Sequence, residues 1–350
     1  MTMNTNNPRS LEISYLAFNF FSTIAVTFIN KICFSRVSFG FPAALCNIHF
    51  LMTYIGVEMM RRLGFFEKKK GLIMSIHDPN FLCLVIVVGL VTPLNNTSLK
   101  LNSVGFYQIF KLLVTPGVVM LEYVLDQKTL SIQRTLSLVA VCMFVLVSSR
   151  ADLEFSTYGT LCAILWVPLA ALYKVQWGRV RKQYSCSTLQ LMHTVLPYAM
   201  IVQALISPLV DPPGLTSFQW TTEAIFWIGL SGIAAFLVNF SGFLVMGNIG
   251  ALAHVLLGQL KTAVIMIGSS FIFESHYSNL QIVGALGAIG SIILYTRVTL
   301  SEKENNMKSD VDVLTSMPSS SVSSSGYKEV LPLTINDDMD MNISSSYTVK

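Results

Sequence analysis

The sequence predicts an all-α polytopic membrane protein with ten transmembrane helices, and three observations predict it. Hydrophobic residues make up 53% of the 350-residue chain and charged residues only 12%, about half the ~25% charged share of a soluble domain. The mean hydropathy is +0.60. The charges are also unevenly spread, so that long apolar stretches hold one or none.

A spanning helix needs about 20 predominantly apolar residues. Ten segments qualify: roughly 12–33, 40–61, 79–99, 103–125, 131–149, 156–178, 187–209, 219–246, 249–273 and 278–298. The first follows a short polar lead with no cleavage site and reads as a signal anchor. The eighth is long and glycine-interrupted, so it is expected to tilt or bend. Pro93, Pro116, Pro168 and Pro197 fall inside spans, where each removes a hydrogen bond and tends to kink the helix. Membrane helices tolerate this where neighbouring groups or water re-satisfy the freed carbonyls. Kinked helices around a wet cavity fit, and so do plain packing bends. From about residue 301 the chain turns polar, with a serine run near 316–325 and an acidic stretch from Asn336 to Asp340. That segment is expected to be a disordered tail.

The basic residues orient the chain. Arg61, Arg62, Lys68, Lys69 and Lys70 share one side with Arg179, Arg181 and Lys182, whereas Lys31, Arg36, Lys100 and Arg150 fall on the other. The richer side also holds both termini, which are therefore expected in the cytosol. The six cysteines never form C-x-x-C, so neither a disulfide framework nor a metal site is indicated. The basic residues lie in short loops rather than in one patch, which argues against nucleic acid.

An internal repeat divides the chain. Lys111, Glu122, Ser131 and Arg150 recur in order as Lys261, Glu274, Ser278 and Arg297, offset by between 147 and 152 residues. The expected organisation is an N-terminus (1–11), a first five-helix repeat (12–150), a second (151–300) and a tail (301–350). Because five is odd, the second repeat enters the membrane upside down. Inverted repeats are an architecture of secondary transporters, whose site lies near the midplane between the halves.

Lys111 lies about a third of the way into the fourth span and Lys261 about midway along the ninth. An ionised lysine at the bilayer centre costs ~2.5–3.5 kcal/mol on insertion scales. Two at equivalent repeat positions suggest a shared water-filled cavity with an anionic occupant. The alternative is an interior ion pair with Glu122 or Glu58. Lys174 is a third candidate, placed where it can also snorkel to the surface. Tyr107 precedes Lys111 by one turn. His254, Gly258 and Lys261 line one helical face, with the glycine admitting a ligand or a second helix. Asn239 lies deep in the eighth span, where its amide must find a partner, and Gln259 is a further polar group of the ninth. His49 and His193 read as packed interior histidines, and the sequons at Asn95 and Asn96 lie inside a span. No nucleophile elbow, P-loop, H-E-x-x-H or carboxylate pair is present, so no enzyme is indicated.

The string LKLNSVGFYQIFKLLVTPGVVMLEYVL around Lys111 and the string LLGQLKTAVIM around Lys261 resemble the fourth and ninth spans of the nucleotide-sugar and triose-phosphate transporter family, within the drug/metabolite transporter superfamily. INK ending the first span and ILYTRVTLSE closing the tenth also fit. The Lys-Thr pair at 261–262 resembles the branch holding plant UDP-rhamnose/UDP-galactose and UDP-xylose transporters and related animal carriers. The resemblance implies exchange of a nucleotide sugar, a UDP-sugar in this branch, for UMP by alternating access across the Golgi or ER membrane. It implies no cofactor, places Lys111 and Lys261 at the phosphates, and leaves a homodimer open. Two other readings stand beside it: a sugar-phosphate/phosphate antiporter, and a non-transporting scaffold or receptor working through its tail.

Overall fold

The structure, a computed structural model, describes residues 8–68, 77–127, 130–150, 156–248, 251–273 and 277–316. These residues form helices α1 (Pro8–Ser35), α2 (Pro42–Arg62), α3 (Pro79–Leu101), α4 (Val104–Leu112), α5 (Val114–Asp126), α6 (Ile132–Arg150), α7 (Thr157–Gln183), α8 (Thr188–Val210), α9 (Thr222–Asn248), α10 (Ala251–Ile272) and α11 (Asn279–Ser316). No strand occurs among the described residues. Nine segments are long and apolar enough to cross a membrane, with α4 and α5 together making one of them, and α10 adds the shorter apolar stretch Leu260–Ile272. This is a multi-pass membrane protein. Local chemistry sets several starts. Proline occupies the opening turn of α2 and α3, where its missing N–H is no loss. Ser103, Ser156 and Ser187 cap α4, α7 and α8, each satisfying an otherwise orphaned amide.

Two elements differ from the sequence expectation. The fourth span breaks at Leu113 into α4 and α5. The last helix runs past the expected boundary at 301 as far as Ser316. Its extension is pinned on α6, where Arg134 meets Glu302 at 2.7 Å and the Thr299 carbonyl at 3.4 Å. An already nucleated helix extends through polar, high-propensity residues such as Glu and Lys at little cost. The expected disorder of residues 317–350 falls outside the described residues.

Helix packing carries the inverted symmetry. With α4 and α5 counted as the fourth span, the repeat exchanges α1 with α7, α2 with α8, α3 with α9, α4/α5 with α10, and α6 with α11. Under that exchange the α1–α9 contact becomes α7–α3, α2–α9 becomes α8–α3, and α1–α10 becomes α7–α5, and all of these contacts occur. The pairs α2–α8, α4–α10 and α6–α11 map onto themselves, and they pack too. The α6–α11 seam is close enough to require glycine. A Cβ at Gly284 would meet the Ser148 amide nitrogen at 2.8 Å and the Phe144 carbonyl at 2.9 Å.

The two faces of the bundle are packed differently. The face at which α1 begins is called here the N side, and its opposite the far side. The far-side core draws buried residues from every span except α8, including Cys33, Leu45, Leu99, Phe106, Trp166 and Ile292. The N-side core draws them only from α2, α3, α7, α8 and the turn before α8. Among the residues whose side chains are described, none from α1, α5, α10 or α11 belongs to it. The described far-side core thus ties both halves together around the bundle, whereas the described N-side core is made by α2, α3, α7 and α8.

Contacts across the halves reinforce the far-side core. Phe41, the N-cap residue of α2, makes no side-chain cap. Asp211, just past α8, supplies one instead, accepting the Ala43 and Ala44 amides at 2.8 and 2.9 Å. Arg36 pairs with Glu223 at 3.0 Å. Phe39 packs against Phe218 and Trp220, with ring centroids at 5.1 and 5.9 Å.

Candidate functional site

The break in the fourth span follows from one residue. Pro116 has no N–H to donate to the Leu112 carbonyl, and its ring crowds that carbonyl. The Leu113 amide turns back to Phe110 at 3.0 Å, and Gly117 then restarts the ladder on Leu113 at 3.1 Å. Pro116 thereby sits in the first turn of α5, where proline is tolerated. Lys111 falls in the last turn of α4, where the helix dipole favours a cation. Every residue of α4 except Lys111 is buried, and Lys111 itself is exposed. Lys111 is thus the one side chain of α4 that reaches an accessible surface. Among the described residues Lys111 makes no hydrogen bond or ion pair. Lys261 and Lys174 lie on α10 and α7, and both of those helices pack against α4.

Lys261, on α10, is 6% exposed. Its ammonium donates to Asn19 Oδ1 on α1. Asn19 Nδ2 in turn donates to Ser241 Oγ on α9 at 3.0 Å, and Ser22 shares that hydroxyl at 2.9 Å. An ammonium has three N–H donors, so a single neutral acceptor leaves it under-satisfied. Gly258, one turn earlier on the same face, borders open space rather than a packed helix. Of the two roles expected for it, a close approach by a second helix is not seen among the described residues.

The remaining expected residues divide. Lys174 is exposed on α7. Tyr107 is buried, its ring 6.1 Å from Trp166, so it belongs to the packed floor beneath Lys111 rather than to an open wall. Asn239 is exposed and donates to Thr53 Oγ1 on α2 at 3.3 Å, with no contact to a lysine among the described residues. The side chains of His254 and Gln259 lie outside the described residues. The alternative partner Glu58 is committed elsewhere, to Arg61 at 2.6 Å, Arg62 at 3.0 Å and His193 at 2.9 Å. No group of three or more metal-ligating side chains occurs among the described residues.

Sequence reasoning missed the polar framework on α1. Asn19, Ser22, Thr23, Thr27 and Asn30 recur at helical spacing along one face of an apolar span, a signal that was available. Beyond the Lys261 cradle, that face carries a second buried network. Ser231 donates to Asn30 Oδ1 at 2.6 Å and lies 2.6 Å from His49 Nε2, while Asn30 reaches Asn96 at 3.3 Å. Buried polar groups of this kind must be paired inside a membrane, and here the pairing joins the two halves toward the far side.

Comparison with known proteins agrees with this architecture. A chain of known crystal structure superposes with a TM-score of 0.52 at 14% identity, covering 81% of this chain and 98% of that one, a likeness of fold alone. Nucleotide-sugar uncharacterized transporter 2 of Arabidopsis thaliana is 35% identical over 293 residues, 82% of this chain and 72% of its own length. UDP-rhamnose/UDP-galactose transporter 1 of the same plant is 30% identical over 306 residues, 85% of this chain and 86% of its own. UDP-xylose transporter 2, also from Arabidopsis thaliana, is 29% identical, covering 81% and 80%. Residues 11–296 match the Triose-phosphate Transporter family, and with its multi-pass bundle of two inverted repeats the chain belongs to that family of membrane transporters.

Proposed function

We propose that this protein exchanges a UDP-sugar for UMP across the Golgi membrane, or alternatively the ER membrane, by alternating access, with both termini in the cytosol. The observation that carries the reading is Lys111, the single exposed residue of an otherwise buried α4, on a helix that packs against α10 of the opposite half, which carries Lys261. Cations that repel one another in a poorly solvated interior call for an anionic occupant, and a diphosphate matches one lysine from each half through charge-assisted hydrogen bonds. Relatives named as UDP-rhamnose/UDP-galactose and UDP-xylose transporters supply the nucleotide and the class of sugar. Exchange fits the chemistry, because the nucleoside monophosphate released when the sugar is used must leave as new substrate enters.

In this reading Lys174 guides the substrate at the N-side entrance, and Tyr107 supports Lys111 from below. Asn239, His254 and Gln259 are assigned to the base or sugar. The far-side core shared by both halves supports a state open toward the N side, which in this reading faces the cytosol. The test is uptake of a panel of labelled nucleotide sugars into proteoliposomes preloaded with UMP or with inorganic phosphate. Uptake of a UDP-sugar driven by UMP supports the reading. Uptake of a sugar phosphate driven by inorganic phosphate alone replaces it with a sugar-phosphate antiporter.

A further inference from the structure

We propose that a phospholipid with an anionic phosphate headgroup binds between α2 and α8 on the N side, apart from Lys111 and Lys261. A cavity of about 150 Å³ lies there, and Tyr54, Phe66, Lys68, Gln190, His193 and Tyr198 are among its lining residues. Its polar groups fall into two sets. Gln190 and His193 are already committed: Gln190 Nε2 donates to the Glu67 carbonyl at 2.9 Å, and His193 Nε2 lies 2.9 Å from Glu58. The Lys68 ammonium and the hydroxyls of Tyr54 and Tyr198 have no hydrogen-bond partner among the described residues. Three uncommitted donors on one small cavity, one of them cationic, describe a receptor for a phosphate. The surroundings keep the sign. Glu58 is held by Arg61 and Arg62, and Lys68, in the loop six residues beyond α2, adds a further positive charge where basic residues beside a span attract anionic lipid.

Geometry selects a lipid over a soluble phosphate. Tyr198 shares a stripe of α8 with Ile201 and Leu205, which are 58% and 73% exposed, and i, i+3, i+7 spacing puts all three on one side of the helix. On α2, Tyr54 is flanked by Leu51 and Ile55, 44% and 52% exposed. In a bilayer these exposed aliphatic side chains face acyl chains. The cavity thus lies beside exposed aliphatic side chains of both helices, and a ligand with a phosphate head and hydrocarbon tails meets both. Because α2 and α8 belong to opposite halves and pack together on the pseudo-symmetry axis, the bound lipid bridges the halves at the N side.

The test is native mass spectrometry of the full-length protein titrated with phosphatidylinositol 4-phosphate, phosphatidylcholine, and the soluble inositol phosphate headgroup. The expected result is one copy of the anionic lipid bound about ten-fold more tightly than phosphatidylcholine, with no displacement by the soluble headgroup. Lys68→Glu, an exposed substitution, is expected to lower that binding about ten-fold, Tyr198→Phe to weaken it, and Lys111→Ala to leave it unchanged. Three results would each overturn the proposal: equal binding of the two lipids, wild-type binding by both Lys68→Glu and Tyr198→Phe, or full displacement of the lipid by the soluble headgroup.

Discussion

Replacing Asp211 by alanine should loosen the far side. The carboxylate accepts the Ala43 and Ala44 amides at 2.8 and 2.9 Å from across the halves, at a helix start whose own N-cap residue contributes no cap. A hydrogen bond to a charged group contributes about 1.5–3 kcal/mol, and a lost N-cap typically costs ~1 kcal/mol. Water replaces part of the contact at this half-buried position, so the bias lost is about 2 kcal/mol, or about 30-fold in the ratio of sealed to open far side. Cys46 reports the change. It is 1% exposed near the start of α2 and accepts a hydrogen bond from Asn96 Nδ2 at 2.9 Å, beside the Asn30–Ser231 seam. Its alkylation by a maleimide, followed by peptide mass spectrometry on protein in nanodiscs, should accelerate by about 30-fold in Asp211→Ala. Asp211→Asn, which keeps one acceptor oxygen, should fall between the two. An Asp211→Ala protein of normal thermal stability whose Cys46 reacts at the wild-type rate would refute this account of the far-side contacts.

Three further outcomes are expected. Asn19→Leu removes the single acceptor of the Lys261 ammonium, at about 1–3 kcal/mol, so exchange assays should show KM raised about 5- to 150-fold with kcat little changed and partial recovery in Asn19→Gln. Gly284→Leu drives a side chain into the α6 backbone and should lower the melting temperature by the equivalent of about 1–3 kcal/mol of overpacking, whereas Gly290→Ala, which faces open space, should not. Removing residues 317–350 should leave exchange intact; its abolition would favour a scaffold or receptor working through the tail.

Much of the fold was legible because a bilayer imposes a strong length-and-polarity constraint on each span. Lys111 and Lys261 stood out for the same reason, being costly where they lie. The break at Leu113 was not legible, since a hydropathy window averages across a single-residue interruption. Pro116 announced a kink but not that the helix would restart with the proline in its first turn. The far-side contacts were hidden for a different reason. Asp211 and Ala43, or Arg36 and Glu223, are distant in sequence, and nothing local to either partner marks the contact. Tyr107 misled because its helical phase beside Lys111 was right while its depth was not, as α4 is buried on every side but one.

The most direct test of the central claim is the affinity of the purified protein for a UDP-sugar, measured by titration calorimetry in the wild type, Lys111→Ala and Lys261→Ala. Removing one partner of a buried charged contact typically costs ~2–5 kcal/mol, so each variant should bind about 30-fold to several thousand-fold more weakly while still inserting and folding. Near-normal affinity in either alanine variant would contradict the claim that the two halves share the substrate's phosphates through Lys111 and Lys261.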